Sequence, residues 1–99
     1  MLTYSIRARI AKAGPAPAAW SRQIADLAAK KTGTTVSVSA RLGGPQEIIF
    51  VSQFDDFAAF EKSQATLFAD ADYVKLLDTM QTQGLFDAAS VDTAFWLPI

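Results

Sequence analysis

Glu47-Ile48-Ile49-Phe50-Val51-Ser52-Gln53 decides the fold. In an extended chain successive side chains point to opposite faces, so Ile48 and Phe50 face one way and Ile49 and Val51 the other. A strand that is apolar on both faces needs cover on both, which predicts a place at the centre of a sheet. Just upstream, Gly43-Gly44-Pro45 turns the chain, and before it Val36, Val38, Ala40 and Leu42 alternate with Thr35, Ser37, Ser39 and Arg41. That pattern is a second, half-buried strand, and the glycine pair reads as its hairpin turn rather than a phosphate cradle.

Further upstream, Trp20, Ile24, Leu27 and Ala28 recur at helical spacing with Arg22, Asp26 and Lys30 turned outward. Gly14-Pro15-Ala16-Pro17 marks the start, near Ala16 to Ala18, since proline is tolerated in a first turn. Lys30 and Lys31 suit the negative end of the helix dipole, and Gly33 suits the residue after it. The N-terminal segment sets Leu2, Tyr4, Ile6, Ala8 and Ile10 against Thr3, Ser5, Arg7 and Arg9, the alternation of a half-buried strand.

Downstream, Asp55 or Asp56 caps a helix whose inner face is Phe57, Phe60, Gln64, Leu67 and Phe68. Ala69-Asp70-Ala71-Asp72 breaks it and supplies a fresh cap for a second piece carrying Tyr73, Leu76, Leu77 and Met80, ended by Gly84. Leu85 and Phe86 open a linker and must be tucked somewhere. The last strand places Val91, Thr93, Phe95 and Leu97 on one face and Asp92, Ala94 and Trp96 on the other.

Ninety-nine residues make one domain, 1–99, because a second core would need more chain. The order βαββαβ with right-handed crossovers predicts an α+β, ferredoxin-like domain: a four-stranded antiparallel sheet, strands one and three central, helices on one face. The other sheet face is left bare. It carries Thr3, Ser5, Arg7, Arg9, Ser37, Ser39, Arg41, one apolar side of the third strand, Asp92 and Trp96. A tryptophan beside aliphatic groups is seldom left idle, so a homodimer formed through this face, pairing two sheets, is expected.

Composition excludes several classes of function. Net charge is −1 with Lys and Arg scattered, so the basic stripe of a nucleic-acid binder is missing. No apolar run approaches the roughly 20 residues of a membrane span, and the first residues lack the layout of a signal peptide, so a cytoplasmic location is expected. With no Cys and no His, thiolate nucleophiles, imidazole bases and the usual transition-metal ligands are gone; no metal and no cofactor is expected.

In its order of elements the chain resembles the dimeric α/β-barrel superfamily, and within it NIPSNAP-like proteins. The residues that carry this are Leu42-Gly43-Gly44-Pro45-Gln46-Glu47-Ile48-Ile49-Phe50, similar to that family's glycine turn into a strand. The stretch Leu67 to Leu77, through Ala69-Asp70-Ala71-Asp72-Tyr73, resembles its helix restart, and Phe95-Trp96-Leu97-Pro98-Ile99 its last strand. The resemblance implies two ferredoxin-like sheets packed face to face. The haem-degrading members of the superfamily use a His ligand with Asn and Trp partners, and this chain has neither His nor Asn.

Two constellations are candidates for a site. Tyr4, Trp20, Phe60, Phe68 and Tyr73 have phases that point them between sheet and helices, where an aromatic cavity would take a flat apolar molecule; ordinary core packing explains the same spacing. Arg7, Arg9 and Arg41 share the bare face and suit carboxylate or phenolate oxygens, or else pair with Glu47 and Asp92 across a dimer or reach solvent. Asp55, Asp56, Asp70 and Asp72 read as helix caps. Three functions follow: a dimer that binds a small apolar or aromatic molecule, a cofactor-independent monooxygenase or isomerase on a small aromatic or polyketide-like substrate, and a structural interaction module with a filled core.

Overall fold

A computed structural model describes all residues, 1–99. The elements are β1 (Leu2–Arg9), α1 (Ala16–Thr32), β2 (Val36–Ala40), β3 (Glu47–Phe54), α2 (Phe57–Phe68), α3 (Ala71–Gln83) and β4 (Asp92–Trp96), with a short 3-10 turn at Ala88–Ser90 before β4. The sheet order is β2-β3-β1-β4, every neighbour antiparallel, so the two longest strands hold the centre. β1 and β3 pair along their full length, from Leu2 opposite Phe54 to Arg9 opposite Glu47. This is the ferredoxin-like α+β fold that the order of elements predicts.

The helix signals act where they stand. Gly33 ends α1 in a left-handed conformation and returns its N–H to the Ala29 carbonyl, with Lys30 and Lys31 in the last turn. Asp56 caps α2 by accepting from the Ala59 N–H at 2.8 Å, and Asp70 caps α3 by accepting from the Tyr73 N–H at 3.0 Å. The break at Ala69-Asp70 is therefore a real end and restart. The linker also finds its place: Leu85 is among the most buried side chains, and its carbonyl accepts from the N–H groups of Ala11 and Lys12. Phe86 bridges to Ile10 and lays its ring against Trp20, 5.7 Å between centroids.

β2 is shorter than the alternation predicts. It stops at Ala40, and Leu42 is almost fully exposed. Gly43 and Gly44 both take left-handed φ, which lifts the turn off the sheet before Leu42 can reach the core. A Cβ on Gly44 would lie 3.0 Å from the Arg41 guanidinium, which folds back beneath the turn.

The interior is not closed. Only 13 of 99 residues are buried. Tyr4, Ile6, Phe50, Tyr73, Leu77 and Met80, all on inward faces, are only partly buried. The well-packed part gathers around Trp20, Ile24 and Leu85, where α1 meets α3 and the linker. No helix is long and apolar enough to cross a membrane.

Candidate functional site

The space left between sheet and helices is a cavity of about 550 Å³, within the usual range for small-molecule sites. β1 contributes Tyr4 and Ile6 to its floor, and β3 contributes Phe50 and Ser52. α1 supplies Trp20 and Ile24 to its wall, and α3 supplies Tyr73 and Leu77. Seventeen of its twenty-four lining residues are hydrophobic, and none of the rest is Asp, Glu, Lys or Arg.

Three sets of contacts tie the walls to one another. The Trp20 indole N–H donates to the Leu76 carbonyl at 2.8 Å, tying α1 to α3 without filling the gap below them. Lys31 Nζ meets Asp70 Oδ2 at 3.1 Å and fastens the end of α1 to the junction of α2 and α3. The Tyr73 N–H and the Lys31 ammonium together hold the Asp70 carboxyl below the usual carboxylate range. At the far end Tyr4, Phe60 and Phe95 form an aromatic wedge with centroids 4.7 to 5.0 Å apart, packed also on Phe54 and Phe57.

Of the aromatic residues singled out by phase, Tyr4, Trp20 and Tyr73 line the cavity. Phe60 sits in the wedge that backs Tyr4, outside the lining. Phe68, the last residue of α2, is 57% exposed and packs edge-on against Tyr73. Burial raises the pKa of both cavity phenols, and at Tyr73 the Tyr4 phenol adds to the effect. Like any phenol both are protonated at neutral pH, and so are able to donate a hydrogen bond.

Helical phase places Gln64 on an inner face without offering it as a site residue, and Ser52, Ser63, Thr32 and Thr34 are not offered either; all five line the cavity. A signal existed for two of them. Ser52 shares the phase of Ile48, Phe50 and Phe54, and Gln64 that of Phe60 and Leu67, so each is a polar group on an apolar face.

The arginines stand on the opposite side of the sheet. Arg7 Nη2 meets Asp92 Oδ2 at 3.0 Å, Arg7 Nε meets Glu47 Oε2 at 3.3 Å, and Arg41 Nη1 meets Glu47 Oε1 at 2.7 Å. The pairing partners are those expected, but the contacts lie within one chain. The result is a row of alternating charge, Arg41, Glu47, Arg7, Asp92, running across three strands and the turn. Arg9 makes no ion pair and is exposed. Nearby, Trp96 lies on this face and donates from its indole N–H to Ser5 Oγ at 3.0 Å. The carboxylates form no group that could hold a metal ion.

Fold and cavity together define a ferredoxin-like domain with an unfilled, uncharged space between sheet and helices. Solved structures with the same fold include a NIPSNAP family protein from Agrobacterium tumefaciens, 15% identical, with a TM-score of 0.79 and covering 99% of this chain and 92% of that one. A NIPSNAP domain protein from Burkholderia xenovorans is 16% identical, with a TM-score of 0.78 and covering 100% and 95%. SnoaB, a cofactor-independent oxygenase from Streptomyces nogalater, is 11% identical, with a TM-score of 0.72 and covering 98% and 91%. The chain thus shares the ferredoxin-like fold of NIPSNAP family proteins and of a cofactor-independent oxygenase. No family model and no curated protein matches its sequence.

Proposed function

We propose that this protein is a cytoplasmic homodimer that binds a small apolar or aromatic molecule between its sheet and its helices. The observation that carries the reading is the cavity itself. A 99-residue chain that leaves about 550 Å³ open beneath half-buried Tyr4, Phe50, Tyr73, Leu77 and Met80 forgoes packing it could have had. A structural module would fill that space. Pairing through the open face is supported by Ile49 and Val51, half-buried beside a 61% exposed Trp96, and by charges already matched within the chain.

The test is titration with a neutral fluorescent probe, N-phenylnaphthylamine, against the whole protein and an Ala28→Phe variant. Ala28 is buried at the cavity wall, so a ring there occupies the space. The expected result is saturable binding to the native chain and its loss in a folded variant. Equal binding by both would sink the reading.

Cofactor-independent oxygenation is the second reading, favoured by the fold shared with SnoaB and by two phenols in the cavity. It ranks lower because those phenols are held protonated, and the lining offers no carboxylate or amine to take a proton from substrate. Quinone formation from a hydroxylated anthracenone under oxygen, at a rate that falls in the Ala28→Phe variant, would restore it to first place.

A further inference from the structure

We propose that the cavity selects uncharged ligands bearing a carbonyl or equivalent oxygen acceptor, which the phenols of Tyr4 and Tyr73 hold from above and below. This rests on the binding reading above and narrows it to a chemical class.

The first ground is charge. None of the twenty-four lining residues is ionisable as an acid carboxyl, ammonium or guanidinium. The cations that could have served are committed elsewhere: Arg7 and Arg41 to Glu47 on the opposite sheet face, Lys31 to Asp70 outside the lining. An ionised ligand would leave its water shell for a wall that offers no counter-charge, and the site rejects it.

The second ground is the pair of phenols. Tyr4 comes from β1 in the sheet and Tyr73 from the first turn of α3, so the two approach the cavity from opposite layers. Side-chain hydrogen bonds in this part of the chain engage the Trp20 indole and the Asp70 carboxylate, and neither phenol takes part in one. No buried polar atom is left sealed without a partner, so both hydroxyls are accessible, and both residues line the cavity. A phenol is protonated at neutral pH, and burial favours that form further in both, with Tyr4 adding to the effect at Tyr73, so both are donors. A pure hydrocarbon in the cavity would strip water from both hydroxyls and give nothing back, whereas a carbonyl oxygen has lone pairs for two donors. Most of the remaining lining is apolar, with Trp20, Phe50, Leu77 and Met80 among it, and accepts a flat apolar body.

The experiment is isothermal titration of the full chain with three naphthalenes substituted at the same ring carbon: the methyl ketone, the isopropyl hydrocarbon and the carboxylate. The ketone should bind at least about tenfold tighter than the carboxylate and roughly three- to tenfold tighter than the hydrocarbon. Water solvates the ketone better than the hydrocarbon, so plain apolar transfer would give the reverse order. In Tyr4→Phe and Tyr73→Phe the ratio of ketone to hydrocarbon affinity should fall toward one. Carboxylate binding equal to ketone binding, or a ketone no tighter than the hydrocarbon, overturns the proposal while leaving apolar binding in place. If none of the three binds, the binding reading fails and this one with it.

Discussion

The Trp20 indole nitrogen and the Leu76 carbonyl oxygen are 2.8 Å apart, one on α1 and one on α3, and this hydrogen bond spans the roof of the cavity. Trp20 is 8% exposed, so the bond is made largely away from water, where an unmet donor or acceptor is costly. Trp20→Phe removes the donor and part of the packing against Phe50 and Phe86. Urea unfolding should show a loss of about 1–3 kcal/mol, and probe binding should weaken with it. Unchanged stability would mean that α3 is held by its apolar contacts alone.

Asp70 has two tasks that a substitution can separate. Asn caps a helix about as well as Asp, so Asp70→Asn keeps the bond from the Tyr73 N–H and removes only the charge that meets Lys31. The folded-state pKa of Asp70 is depressed, so its contribution is present above the unfolded carboxylate value and is lost as pH falls through the folded one. Melting curves of the native chain should therefore drop on the acid side of about pH 4, and the variant should show a flatter drop. Parallel curves for the two proteins would assign acid unfolding to other carboxylates.

The two phenols make the opposite prediction at high pH. Their folded-state pKa values are raised, so stability is intact below the ordinary tyrosine value of about 10 and declines as pH rises through and above it. Ultraviolet titration should show both tyrosines ionising later than a free tyrosine. In Tyr4→Phe the remaining Tyr73 should shift part of the way back, since Tyr4 is one of its two causes.

On the open sheet face, Ile49→Lys places a charge between Arg7 in β1 and Ser39 in β2, beside the row of matched charges. The single fold should tolerate it, at a cost of about 1 kcal/mol or less, because Ile49 is only half-buried within one chain. Self-association should not tolerate it, since two such lysines would meet across a two-fold axis. Sedimentation velocity should show a dimer for the native chain and a monomer for the variant. A monomeric native chain would remove the pairing from the proposed function.

Glu47, 14% exposed, is shared by the half-exposed Arg7 and Arg41, and Glu47→Gln keeps an acceptor for both, so it should cost about 1–2 kcal/mol in folding. The loss should shrink further in high salt, measured by the urea midpoint. A larger, salt-insensitive loss would show that the turn at Gly43 and Gly44 depends on Arg41 being held beneath it.

Most of the fold was legible in order of residues. Ile48 to Val51 is apolar on both sides, and β3 is central; Asp56, Asp70, Gly33 and Gly84 each end or begin the helix they signal. These are local facts, set by strand periodicity, capping groups and positive φ, and they need no knowledge of distant residues. Leu42 was misplaced because alternation continues past the point where two left-handed glycines lift the chain.

The site was legible only in part, for a physical reason. Phase tells which side chains face inward, and so found Tyr4, Trp20 and Tyr73. It does not tell how far apart the facing layers stand. That separation depends on long-range contacts: Trp20 to Leu76 and Lys31 to Asp70 fix the helices to one another, and Phe60 meets Tyr4 and Phe95 across the two layers. Whether inward aromatic groups make a core or line a cavity is thus a property of the assembled layers. The sequence alone determined the sheet, its order and its bare face; the tertiary structure alone decided that the space beneath the helices stays open.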